Sequence, residues 1–119
     1  MAIRNLTMRN LLATAYGSNA PFGALFTADP GTADAATNEV TGGAPAYARK
    51  NMTWGAASNS VITSAATVFD VPSGVTPAFF GVCAAGTKAV ADVRDSYDIV
   101  DQGFASQGTF TVTATYTQS

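Results

Sequence analysis

Histidine is absent from these 119 residues. That removes the commonest general base and the commonest transition-metal ligand. Cysteine is nearly absent. Cys83 is the only one, so no intrachain disulfide can form and a zinc site lacks ligands. Cys83 lies in the apolar run Phe79-Phe80-Gly81-Val82-Cys83-Ala84 and reads as a small buried hydrophobe. A catalytic thiol needs an adjacent base, and no imidazole exists to supply one. Charge is scarce as well. Asp, Glu, Lys and Arg make up 12% of the chain, about half the usual globular share. The six Lys and Arg are scattered and the net charge is −2, so there is no basic footprint for nucleic acid. No apolar run reaches the length of a bilayer span, and no membrane partner is expected. Arg4 and Arg9 precede Leu11-Leu12-Ala13-Thr14-Ala15, but that stretch is short and broken by Thr14 and Gly17, which argues against a signal peptide. Asn5-Leu6-Thr7 and Asn51-Met52-Thr53 match the glycosylation pattern and, without a secretory signal, read as chance. No glycine-rich loop has phosphate-binding spacing, and no G-x-S-x-G elbow occurs. These absences predict a non-enzymatic protein without a cofactor or bound metal.

What is present is a polar, weakly charged surface of Ala, Thr, Gly and Ser around a large apolar fraction, 47%. Such a surface suits packing against other proteins. The length is that of one domain spanning 1–119, large enough to bury a core. The periodicity predicts one helix over 5–16. Met8, Leu11, Leu12 and Ala15 fall on one apolar stripe, which can dock on the protein's own sheet or on a neighbour. Asn5 or Thr7 can cap its start, and Gly17 fits the left-handed position after its end.

The remainder predicts strands. Pro21–Thr27 reads as a short strand, and Asp29-Pro30-Gly31 as a turn in which Asp29 accepts backbone N–H bonds. Residues 29–45 form a long loop, of a length that usually marks an interaction surface. Residues 46–54 read as a strand with Ala48, Lys50, Met52 and Trp54 on one side and Tyr47, Arg49, Asn51 and Thr53 on the other. Met52 and Trp54 are its expected core pair, with Lys50 near the rim. Ser58-Asn59-Ser60 marks a turn between strands, and 61–62 and 67–71 follow as strands ended by Pro72-Ser73-Gly74. Residues 77–84 read as a central buried strand, with Gly81 at a bulge or close approach. Ala89-Val90-Ala91 begins the next. Phe110, Val112, Ala114 and Tyr116 alternate with Thr109, Thr111, Thr113 and Thr115, a half-buried strand with a threonine face. The fold expected is mainly β, an antiparallel β-sandwich of jelly-roll or immunoglobulin-like type with one short N-terminal helix. No internal repeat, heptad or collagen-like tract is present, so a fibre shaft is not expected.

Two acidic sets invite a metal reading. Asp92, Asp95, Asp98 and Asp101 recur every third residue and read as a solvated acidic loop, with a calcium site as the sharper alternative. Asp29, Asp34, Asn38 and Glu39 are a weaker set. Among the aromatic residues, Tyr97 between Ser96 and Asp98 is the expected exposed platform for a sugar, whereas Trp54 reads as core.

One ordered set of segments points to a biological setting. Leu25-Phe26-Thr27-Ala28-Asp29-Pro30-Gly31-Thr32 is followed by Asn38-Glu39-Val40-Thr41-Gly42-Gly43, by Tyr47-Ala48-Arg49 and by Met52-Thr53-Trp54-Gly55-Ala56-Ala57. This order resembles a family of small virion proteins of tailed bacteriophages, many with actinobacterial hosts, whose members are commonly described as tail fibre or minor tail proteins. Phe69-Asp70-Val71-Pro72-Ser73-Gly74 and Phe80-Gly81 follow the same pattern, so the resemblance covers about 22–83. Family members often carry His where Phe26 stands and Trp near Cys83, which marks both as packing positions here. Residues 84–107 depart from the pattern and are the place for a contact special to this protein.

The resemblance implies a structural virion protein assembled in the host cytoplasm. Its partners would be major capsid or tail proteins and further copies of itself, as a trimer. Capsid decoration is the favoured role, with the 29–45 loop as a detachable clamp. A minor tail or tail-fibre subunit and a host-surface carbohydrate-binding module are the alternatives. The expected contact residues are Met8, Leu11 and Leu12 on the helix, Asp29, Pro30 and Gly31 in the turn, and Tyr97.

Overall fold

The structure, a computed structural model, describes residues 2–32, 37–87 and 92–119. Helix α1 spans Leu6–Asn19. Its start follows from Asn5, whose extended backbone lets the side-chain oxygen accept the Met8 N–H at 2.9 Å. The helix does not stop before Gly17 as the sequence suggests. It runs on to Asn19, and Pro21 then blocks continuation. Gly17 serves close packing instead. A Cβ there would lie 3.0 Å from Trp54 Cγ and 3.1 Å from Ile62 Cδ1, so only glycine lets the helix sit this near.

Among the described residues eight strands follow: β1 (Phe22–Phe26), β2 (Lys50–Asn51), β3 (Val61–Thr63), β4 (Thr67–Val71), β5 (Phe79–Cys83), β6 (Val93–Asp98), β7 (Gly108–Val112) and β8 (Thr115–Thr117). The protein is mainly β, and among the described residues all strand pairings are antiparallel and the one helix is N-terminal. One sheet has the order β2-β1-β5-β6. β5 is central, as its uniformly apolar sequence predicts. Gly81 is a close approach to Phe26, since a Cβ there would sit 2.6 Å from the ring. The bulge falls one step further on, where Val82 pairs with Asp95 but Cys83 with Val93. The predicted strand start at 89–91 lies outside the described residues.

The second layer is a two-stranded ribbon. β3 pairs with β8 and β4 with β7. Between the halves the register shifts by one residue, from Thr63↔Thr115 to Thr67↔Val112. Burial shows the same reset. Ile62 and Ser64 face in, Ala65 and Ala66 are both exposed, and Thr67, Phe69 and Val71 face in again. Ser64 Oγ accepts the Ala114 N–H at 2.9 Å inside this break. The expected single strand over 109–116 is therefore two strands, although its alternation persists and its threonines all face outward. Asn59 and Ser60, both at positive φ, make the tight turn between Ser58 and Val61.

The predicted 46–54 strand is cut short for a related reason. Only Lys50 and Asn51 join the ladder. Thr53 adopts φ 44° and turns the chain from the sheet to the ribbon, where Gly55 N–H bonds Thr63 O and Trp54 bridges Ser64. Met52 is fully buried, and Trp54 packs half-buried beside it. The main core lies between the layers, built on Leu25, Met52, Phe69, Val71, Phe80 and Val82. The rings of Phe69 and Phe80 meet edge to face at 6.2 Å. A smaller cluster of Ala24, Phe26, Cys83 and Val93 occupies the opposite side of the sheet.

Candidate functional site

The NEVTGG and YAR segments converge on one buried polar node through Glu39, Tyr47 and Arg49. It forms because β1 has a divided outer edge. Phe22 and Gly23 pair with β2, while Leu25 O accepts from Val40 and Thr27 N–H donates to Asn38 O. The Leu25 N–H falls in the gap, and an unpaired buried amide is costly. The Tyr47 hydroxyl fills the gap, accepting that N–H at 3.0 Å and donating to Glu39 Oε2 at 2.8 Å. Arg49 grips the same carboxylate with two bonds, Nε to Oε2 at 3.1 Å and Nη2 to Oε1 at 2.9 Å. Its Nη1 donates to Asp92 Oδ1 at 2.7 Å and to Ala85 O at 2.9 Å. The other Asp92 oxygen accepts the Ala85 N–H.

All three charged side chains are essentially dry, at 0% exposure for Arg49, 2% for Glu39 and 5% for Asp92. Burial pulls the guanidinium pKa down. The hydrogen bonds it donates to Glu39 and Asp92 outweigh that and hold it above its ordinary value. Tyr47 is pushed up by burial and by the neighbouring Glu39 charge. The node thus ties residues 38–40, 47–49, 85 and 92 to one edge of the sheet. This overturns two expectations. The 29–45 loop is not detachable at its 37–40 end, and Asp92 is not part of a solvated loop.

The rest of the acidic set is dispersed by strand alternation. Asp95 and Asp98 lie on β6, pointing to opposite faces, and Asp101 is exposed beyond it. Asp95 accepts the Tyr16 hydroxyl at 2.8 Å. Among the described residues, no three Asp, Glu, Cys or His side chains gather to hold a metal. In the second set, Asp29 accepts the Gly31 N–H at 2.8 Å, the turn bond expected of it, and its carbonyl accepts from Asn38. Asp34 lies outside the described residues. Asp29 and Gly31 are exposed, but Pro30 is buried and offers no contact surface.

Tyr97 is not an exposed platform. It is half-buried, its ring stacks parallel to Phe80 at 6.3 Å and its hydroxyl meets that of Tyr16. Burial, ahead of the adjacent Asp95, pushes its pKa up to about 12. Cys83 is fully buried, as its sequence context predicts, and burial pushes its thiol up to about 12. A thiol held neutral in this way is a poor nucleophile.

Helix α1 docks on the ribbon end through small residues and one aromatic. Ala13 and Gly17 are buried, and Tyr16 stacks on Tyr116 at 3.8 Å and meets Trp54 edge-on at 6.0 Å. Arg9 Nε donates to Ser60 Oγ at 2.7 Å, and Asn10 Oδ1 accepts the Ser60 N–H at 2.8 Å. The predicted stripe therefore does not dock on the protein's own sheet. Met8, Leu11 and Leu12 point outward, at 47%, 60% and 37% exposure. Beside them the segment 2–5 and the helix enclose a cleft of about 590 Å³, lined by Ile3, Arg4, Met8 and Leu11 among others. Glu39, Tyr47, Arg49 and Asp92 are the residues that sequence reasoning did not bring together. The one available signal was Arg49, a cation two residues after Tyr47 on the same side of the expected strand, with Glu39 only ten residues before it.

No family model matches the chain, no curated protein matches it, and no solved structure matches it.

Proposed function

We propose that this chain is a non-enzymatic accessory subunit on the surface of a tailed-bacteriophage particle, seated on the capsid lattice. The observation that carries the proposal is the outward apolar face of α1. Met8, Leu11 and Leu12 form a contiguous exposed stripe on a helix already anchored from behind. Exposed apolar stripes of this kind mark protein contacts. The polar node supports the same reading, because the segments that carry the phage-protein resemblance are used to hold the fold. The neutral, buried Cys83 thiol and the absence of histidine support a role without catalysis. The outward threonines of β7 and β8 offer a second, uncharged surface for contacts between copies, and a closed trimer would cover them.

Immunogold labelling of purified virions with an antibody to this protein tests the placement. Gold spread over the head is the expected result. Gold confined to the tail would replace capsid decoration by the tail or tail-fibre role. Intact, unlabelled particles that also lack the chain by mass spectrometry would overturn the virion assignment altogether.

A further inference from the structure

The turn of the chain at Thr53 opens a cleft that none of the described residues fills. It has a volume of about 260 Å³ and lies between the C-terminal half of α1 and the 51–55 corner. Its size is below the usual range for drug-sized ligands and suits one small ring. Thr14, Gly17 and Ser18 line it from the helix, and Asn51, Thr53, Trp54 and Gly55 from the corner.

Three observations define what it would take. First, Trp54 is a fixed aromatic surface. Its indole N–H donates to Ala20 O at 2.9 Å, and Tyr16 braces it edge-on. Pre-ordering of this kind removes an entropic cost of binding. Second, the polar groups around it are neutral and free. Asn51 Oδ1 is used by the Thr53 N–H and hydroxyl, but the Asn51 amide nitrogen and the Thr14 and Ser18 hydroxyls take no protein partner among the described residues. Third, none of the described lining residues is ionisable. Phosphates and carboxylates therefore find no counter-charge, and a wholly apolar ligand would leave the hydroxyls and amide unmatched. A neutral ring with an apolar C–H face and a hydroxylated rim meets both demands.

We infer that the Trp54 cleft is a binding site for a single pyranose unit of a neutral glycan, the ring face lying on the indole and its hydroxyls bonding Thr14, Ser18 and Asn51. The inference is independent of where the protein sits on a particle.

Trp54 is the sole tryptophan, so its emission reports this site alone. Titration of the full chain with the methyl glycosides of glucose, galactose, mannose, rhamnose and N-acetylglucosamine provides the test. A saturable change with at least one, with Kd on the order of 1 mM, is expected. Thr14 and Ser18 are exposed and their hydroxyls hold no described partner, so Thr14→Ala and Ser18→Ala leave the melting curve in place while weakening that binding about ten-fold together. No saturable change with any of the five up to ~0.1 M, where a Kd near 10 mM would still be seen, overturns the inference. So does a change that persists at full affinity in the double variant.

Discussion

The two sides of the four-stranded sheet are closed by different physics. On the ribbon side Leu25, Phe80 and Val82 meet Phe69 and Val71 in an apolar core, with the hydrogen bonds of Tyr16, Tyr97 and Asp95 at its margin. On the other side a small apolar cluster around Phe26 and Cys83 is finished by the Glu39–Arg49–Asp92 node. The apolar side needs only shape and volume. The polar side also fixes which backbone segments lie where, because every charged oxygen and nitrogen of Glu39, Arg49 and Asp92 has a defined partner. Buried ion pairs contribute little net stability compared with apolar replacements, yet losing one partner is severe. The comparison therefore predicts similar damage from single truncations on either side, with different routes to repair.

Phe69→Ala should cost about 3–5 kcal/mol through lost burial and the cavity left behind. Arg49→Ala should cost about as much, ~3–5 kcal/mol, by leaving two carboxylates dry and unpaired. Urea unfolding measures both. The distinction appears on repair. Replacing the whole node, Glu39→Leu, Arg49→Met and Asp92→Leu together, should recover most of the stability lost in Arg49→Ala, within about 2 kcal/mol of the natural chain. If the triple variant is no more stable than Arg49→Ala, the node contributes through more than satisfied charge.

A smaller effect is expected at alkaline pH. In the folded protein burial pushes Cys83 from 9.0 up to about 12 and Tyr97 from 10.0 up to about 12. The unfolded chain loses those protons first. The contribution is thus fully present below pH 9 and is lost as pH rises through the folded values. The urea midpoint should fall steadily from pH 9 upward, and a midpoint unchanged up to pH 11 would contradict the burial of both groups.

The smallest effect on the fold is expected on the outer face of α1. Leu11→Asp should cost under about 1 kcal/mol, since Leu11 is exposed and loses only helix propensity and solvent-side packing. Ala13→Asp, on the buried face, should cost several times more by placing a charge against the ribbon end. Equal melting temperatures for the two variants would mean that the helix orientation is wrong.

Much of this was legible in the sequence because it is local. The Asn5 cap, the apolar β5 run, the Asp29 turn and the threonine alternation each follow from neighbours within a few residues. The helix stripe was also legible, but its use was not. Hydropathy favours Met8, Leu11 and Leu12 as the docking face, whereas docking actually depends on close approach through Ala13 and Gly17, which small side chains permit. The node was illegible for another reason. Arg49 meets Asp92 across 43 residues, and Asp92 stands in the same every-third-residue series as the exposed Asp101. Only the bulge near Val82 and Cys83, with the divided edge of β1, brings these groups together. The kink at Thr53 likewise depends on a change of sheet, which turned the expected core residue Trp54 into the wall of a cleft.

The most direct test of the central claim is the copy number of Leu11→Asp in purified virions when it is co-expressed with the natural chain, read by quantitative mass spectrometry. The account predicts that the variant, folded and equally abundant in the lysate, is depleted from particles at least about ten-fold, the effect of losing roughly 1.4 kcal/mol of contact. Incorporation of both chains in equal number would contradict a role for the outer face of α1 in seating the protein on the particle.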